Sequence, residues 1–291
     1  MSERLRWMIT GASGMVGADL ADALRDEGED VTALSRAELD VTDGAAVRER
    51  VRRTRPQVIV NCAAFTRVDD CETNAETADL VNGHAVRHLA AAADEAGALL
   101  THISSDFVFD GASTRPYRED DAVGPISAYG RSKLLGERSA AEASRHLIVR
   151  TSWLFGTRGA NFVGAIRRQI DAGRRELRVV ADQRGRPTYT PHLADALVAL
   201  SRRAYADSAS PGIVHYADEP ECTWFDFAVE IAARLAPGAV TVHPVTTAEF
   251  PRPAQRPAYS VLSTEHYEAI TGKKPGDWRE GLGEYLRARK S

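Results

Sequence analysis

Through the first half of the chain, short unbroken apolar runs alternate with longer stretches whose apolar positions return every three to four residues. Leu5 to Ile9, Val31 to Leu34, Val58 to Val60, Leu99 to Ile103 and Leu147 to Val149 are of the first kind and read as strands buried on both faces. Residues 18–25, with Leu20, Ala21 and Leu24 on one side, and residues 44–53, 74–96 and 129–144 are of the second kind and read as helices. This alternation predicts an α/β fold, a doubly wound parallel sheet with helices on both faces. After Thr151 the rhythm breaks. Residues 161–172, 191–206 and 224–235 read as helices and Gly212 to Tyr216 as one more strand. Residues 237–263, with Pro244, Pro251, Pro253 and Pro257, read as irregular, and a last helix is expected over 277–289. The expected organisation is a nucleotide domain of residues 1–151, rejoined by about 189–217, and a smaller C-terminal substrate-binding lobe from 152–188 and 218–291.

Composition narrows the possibilities. At 291 residues and 43% hydrophobic the chain can bury a large core, and no stretch approaches the ~20 apolar residues of a membrane span. A formal charge of −4 supplies no general field for nucleic acid or an anionic membrane, so small-molecule chemistry is expected. Cys62, Cys71 and Cys222 are odd in number and form no Cys-x-x-Cys pair, which argues against a disulfide framework or a zinc ribbon. Met1-Ser-Glu-Arg4 leads into the first strand without a signal-peptide apolar region, so the cytoplasm is the expected compartment. His84 and His88 lie four apart but lack a nearby acid or thiolate at ligand spacing, and read as packing or surface residues.

Two patterns carry chemistry. Thr10-Gly-Ala-Ser-Gly-Met-Val-Gly17 joins a strand to a helix: Gly11 can make the tight turn, Gly14 lets backbone approach a pyrophosphate, and Gly17 lets the helix lie close to the sheet. Tyr129 and Lys133 lie four apart on a helix, hence on one face. An ammonium about 4 Å from the phenol is worth roughly 4 kcal/mol at an effective dielectric near 20, enough to lower a tyrosine pKa of ~10 by around 3 units. Ligands of such sheets gather at the strands' C-terminal ends, here Gly11, Ser35-Arg36, Asn61 to Ala64, Ser104 to Asp106 and Thr151 to Trp153. No acid stands at the place that would bind the ribose hydroxyls of NAD. Ser35-Arg36 instead suits the 2′-phosphate of NADPH, with NADH possible, and Asp40-Val41 can reach the adenine.

The glycine pattern, Tyr129-x-x-x-Lys133 and Ser105 together resemble the extended short-chain dehydrogenase/reductase superfamily, and with it a Rossmann-type fold. Asn61 to Glu72, Ser104 to Gly111, Arg150-Thr-Ser-Trp153, Asp182 to Thr188 and Arg256-Pro-x-x-Ser-x-Leu262 narrow the resemblance, nearly end to end, to the dTDP-4-dehydrorhamnose reductase family. That resemblance implies hydride delivery from a nicotinamide cofactor to C4 of a dTDP-linked 4-keto-6-deoxy sugar. It implies Tyr129 as proton donor and Lys133 as its partner and ribose ligand, with Ser105 and Asp106 at the sugar. Trp153 and Asn161 would also bind the sugar, and Arg256 the diphosphate. Gly14, Met15 and Val16 would lie at the pyrophosphate, Asp40 and Val41 at the adenine, and Ala63, Ala64, Phe65 and Thr66 along the cofactor. Two departures stand out: Ser105 where many relatives have threonine, and Phe107 where many have tyrosine. Some relatives hold magnesium at a dimer contact through glutamates. Asp19 keeps one acid here but Pro191 takes another such position, so no metal is expected. Two alternatives stay open, an epimerase or dehydratase that retains its cofactor and a non-catalytic NADP-binding regulatory subunit. A monomer or homodimer is expected.

Overall fold

The computed structural model describes residues 4–207 and 212–288. Five strands, β1 (Arg6–Thr10), β2 (Asp30–Leu34), β3 (Val58–Asn61), β4 (Leu99–Ser105) and β5 (His146–Thr151), and an edge strand, Gly212–His215, form a wholly parallel sheet. The order is edge strand, β5, β4, β3, β1, β2. The winding direction reverses between β1 and β3, the switch point at which a doubly wound sheet opens a ligand crevice. In register, Thr10 lies opposite Asn61, Asn61 opposite His102 and Ser105 opposite Thr151, so the polar strand ends gather at one edge.

Helices cover both faces. On one, α1 (Met15–Asp26) and the helix Thr190–Ala206 bury Leu20, Leu24, Leu193 and Leu197 against Ile9, Val58 and Val149. On the other, α2 (Gly44–Thr54) and the helix Ala85–Ala96 bury Val47, Val51, Val86 and Leu89 against Met8, Ile59 and Leu100. The helix starts are chemically marked. Asp43 accepts from the Ala45 and Ala46 N–H groups ahead of α2, and Ser127 accepts from the Gly130 N–H at the start of Ala128–Ala140. Thr223 and Asp226 form a reciprocal capping box that starts Trp224–Leu235. A separate apolar cluster, including Phe155, Ile166, Phe227, Trp278 and Tyr285, forms away from the sheet. Among the described residues no helix is long and apolar enough to cross a membrane.

Three expectations need correction. The helix expected over 74–96 is interrupted by a π-helical turn at Asp79–His84, where Asn82 faces fully inward and Gly83 admits Leu135. The supposedly irregular 237–263 contains a strand, Thr241–Val245, parallel to Glu176–Val180, and Pro244 is tolerated because this two-stranded ribbon has open edges. The helix Glu265–Thr271 was also unexpected; it is short, and its one fully buried residue, Tyr267, gives little periodicity to read.

Candidate active site

The glycine loop is built by close approach. Gly11 has φ +65°, and a Cβ there would lie 2.6 Å from the Ala63 nitrogen; one on Gly17 would lie 2.6 Å from the Gly11 carbonyl oxygen. These two glycines serve the turn and the packing of helix on sheet. Gly14 is the N-cap of α1, no side chain caps that end, and the first turn contains no acid. A helix end left with unmet N–H groups and a positive dipole end beside a cleft fits a dinucleotide pyrophosphate.

The cleft, about 730 Å³, is walled by Gly14, Met15, Val16 and Gly17 on one side and by Ala63, Ala64 and Thr66 on another. Ser105, Asp106, Tyr129 and Lys133 form its floor. Tyr129 lies in the first turn of Ala128–Ala140, with Phe107 edge-on to its ring at 5.5 Å. Lys133, one turn on, donates from Nζ to the Ile103 carbonyl at 2.6 Å. Ser105 Oγ donates to Asp106 Oδ1 at 2.9 Å and accepts the Phe107 N–H.

Burial dominates the electrostatics. It pushes the Asp106 carboxyl up to about 6, although hydrogen bonds from Ser260 and Ser105 pull it back. It pulls the Lys133 ammonium down to about 8 against the opposing influence of Glu137. The Tyr129 phenol is pushed well above its ordinary value, first by burial and then by the Asp106 charge. The expected lowering of the tyrosine by Lys133 is therefore overturned, because loss of solvation exceeds a charge attraction that Lys133 directs at the Ile103 carbonyl. A phenol that stays protonated is the proper ground state for a proton donor.

Residues from the second half of the chain complete the cleft. Trp153 and Arg256 both line it, as do Trp224, Arg178, Gln183 and Arg252, which sequence reasoning did not single out. Trp153 stacks on Trp224 with ring centroids 3.6 Å apart and planes within 7°, and Gly185 leaves room for its ring. Its φ is +47°, a strained conformation for an aromatic residue and of the kind that gathers at functional sites. Arg256 Nη1 donates to Asp69 Oδ1 at 2.6 Å and to the Ala254 carbonyl at 2.7 Å, so its guanidinium is already partly engaged.

Several expected site residues lie elsewhere. Asn161 caps Phe162–Asp171, accepting the Gly164 N–H and donating to the Gly156 carbonyl, and does not line the cleft. The Val41 side chain is buried in the cluster beneath α2. Asp40 is exposed and accepts from the Thr42 N–H and hydroxyl. Phe65 packs with Cys71, Ala78 and Ala128, while its backbone N–H and carbonyl are both held by the Asn82 side chain. Asn82 also donates to Ser132 Oγ, which in turn donates to the Tyr129 carbonyl, tying the cleft-lining loop around Phe65 to the tyrosine's helix. Ser35 and Arg36 sit outside the cleft lining, and Glu38, three residues on, folds back so that the Ser35 N–H and hydroxyl both donate to its Oε2. Asp19 accepts from Thr190 and Arg158.

The family model described as the RmlD substrate binding domain matches residues 5–291. The chain belongs to this family. It is 45% identical over 287 residues to a dTDP-4-dehydrorhamnose reductase of Streptomyces griseus, covering 98% of this chain and 94% of that one. A probable dTDP-4,6-dihydroxy-2-methyloxan-3-one 4-ketoreductase of Streptomyces antibioticus is 43% identical, over 96% of this chain and 94% of that one. Among solved structures, the dTDP-4-dehydrorhamnose reductase of Bacillus anthracis in complex with NADP superposes with a TM-score of 0.91 at 36% identity, over 98% of this chain and all of that one. The fold of this RmlD-family chain is thus the Rossmann-type fold of its relatives.

Proposed function

We propose that this chain is a reductase of dTDP-sugar biosynthesis that uses NADPH, with NADH as an alternative, to reduce the C4 ketone of a dTDP-linked 4-keto-6-deoxy sugar. The favoured substrate is dTDP-4-dehydrorhamnose and the product dTDP-L-rhamnose. The observation that carries this reading is the convergence of Ser105, Asp106, Tyr129 and Lys133 on the floor of one cleft whose wall is the open N-terminus of α1. The bound cofactor supplies the hydride. Tyr129 holds the proton destined for the nascent alkoxide, Lys133 supplies a cation on the same helix face, and Ser105 can donate to the carbonyl oxygen once its single hydroxyl proton turns away from Asp106 Oδ1. Trp153 and Trp224 give the sugar a rigid aromatic wall, and Arg256 meets the diphosphate.

In this reading residues 1–151, rejoined by 189–217, seat the cofactor, and the remaining segments seat the nucleotide sugar. The protein works in the cytoplasm as a monomer or homodimer, with no nucleic-acid or membrane partner and no metal. Loss of reduced-nicotinamide absorbance with a small panel of dTDP-4-keto sugars tests the function. Turnover accompanied by stoichiometric NADPH loss supports it. Sugar turnover without net NADPH loss would assign an epimerase or dehydratase, and NADP binding with no turnover on any of the panel would favour a regulatory subunit.

A further inference from the structure

The adenosine end of the cofactor seat holds a carboxylate where the sequence pattern suggested only a hydroxyl and a cation. The Ala12 N–H of the glycine loop donates to the Leu34 carbonyl at 3.0 Å, so Ser35 and Arg36 emerge beside the loop, at the strand end where a dinucleotide site receives the adenosine ribose. The Ser35 N–H and hydroxyl both donate to Glu38 Oε2, at 2.8 and 2.6 Å. A ribose 2′-phosphate at this position would use those same two donors. The charges around them balance. Arg50 Nη2 donates to the Glu38 carbonyl at 3.2 Å, and the Arg36 cation acts on the Asp40 carboxylate. Two arginines and two carboxylates thus share the seat, which lacks the net positive charge that phosphate selection requires.

We propose that Glu38 sets the cofactor preference of this chain: its carboxylate stands on Ser35 in the place that the 2′-phosphate of NADPH must take, and it offers an acceptor to the free 2′-hydroxyl of NADH. The inference rests on the reading that the adenosine ribose lies at Ser35 and Arg36. For NADPH to bind, Glu38 must swing off Ser35, which its exposed position permits, and Arg36 and Arg50 then face the phosphate together. NADH meets the carboxylate where it already stands. The two cofactors are therefore separated by one movable charge, which accounts for a site that accepts both.

Calorimetric titration with 2′,5′-ADP and 5′-ADP tests this without reference to turnover. Glu38→Gln keeps the length of the side chain and an oxygen for Ser35, and removes only the charge. It should tighten 2′,5′-ADP by roughly five- to thirtyfold, the factor expected for removing a full charge some 4–6 Å from a phosphate in a water-like dielectric. Binding of 5′-ADP should stay unchanged or weaken, and the gain for 2′,5′-ADP should shrink as salt is raised. Arg36→Ala, run in parallel, should weaken 2′,5′-ADP alone. If Arg36→Ala acts as described while Glu38→Gln moves neither ligand, the role of Glu38 is refuted and the ribose placement survives. If neither variant changes either ligand, the placement fails and the proposal with it. Equal gains for both ligands would also overturn it, since they would mean a general charge effect and no reading of the 2′ position.

Discussion

The floor of the cleft and its rim are built by different rules. On the floor, Ser105, Asp106 and Lys133 are nearly inaccessible, each is committed to a neighbour, and burial is the largest influence on the Asp106 carboxyl, which it pushes up, and on the Lys133 ammonium, which it pulls down. Arg252 at the rim, and Arg36 and Glu38 outside the cleft lining, stand in water, where pairing is weak and exchangeable. Desolvation therefore sets the chemistry, while recognition of the charged ends of the ligands is left to side chains that can change partners. Substitutions on the floor should damage turnover and those at the rim should shift affinity.

The largest effect is expected from Tyr129→Phe, which removes the donor hydroxyl and keeps the ring against Phe107; turnover should fall by about 10²-fold or more with cofactor affinity nearly unchanged. Wild-type turnover under conditions where chemistry limits the rate would remove Tyr129 from its role. The pH profile comes next. Lys133 is cationic below about 8 and neutral above it, so kcat/KM should hold between the Asp106 value of about 6 and that point and fall by about tenfold per pH unit above it. Lys133→Arg should carry the limb upward out of range, and a limb that stays in place would assign it to another group.

At the rim, Arg256→Ala should raise KM for the dTDP-keto sugar by about tenfold, the scale of one charge-assisted hydrogen bond, and leave NADPH binding alone. Arg256→Lys should recover only part of this, because the planar fork is lost. An unchanged KM in both variants would place the diphosphate elsewhere. The smallest effect concerns stability. The folded-state value of Asp106 is raised to about 6, so its favourable contribution is present below 3.8 and lost as pH rises through 6, leaving a buried charge that costs stability at neutral pH. Asp106→Asn should therefore raise the Tm at pH 7.5 by about 2–4 °C while lowering turnover, and the gain should vanish near pH 4. A Tm that falls at pH 7.5 would contradict the assigned cost.

The same division explains what could be read from the sequence. Strands and helices with strong periodicity were legible: the helix Trp224–Leu235 was expected over those residues, because its apolar stripe and capping box are local signals. Tyr129 and Lys133 on the floor and Gly14 and Gly17 on the wall were legible too, since each pair is set by spacing along one helix or its start. The rim was not. Glu38 reaches Ser35 by a local fold-back, Arg50 comes from α2, and Asp69 meets Arg256 across 187 positions of chain. The stack of Trp153 on Trp224 likewise depends on how distant segments pack, and no pattern near either tryptophan announces it. Val41 and Asn161 have structural roles that their sequence context did not reveal: the side chain of one completes a core, and the other caps the start of a helix.

The π-helical turn at Asp79–His84 holds one residue more than a regular helix would need over the same rise. Each residue of an α-helix turns about 100°, so removing one there would swing every preceding side chain by that angle relative to the helix that follows. Asn82 could not then both face inward and grip Phe65. Point substitution can weaken that grip, but only a change in chain length can undo the phase on which it depends. In a lineage that drifts residue by residue, the loop at the cleft wall is thus protected by counting: its position is stored as an integer, and insertions or deletions between Ala75 and Ala85 should be far rarer among functional descendants than substitutions at the same positions.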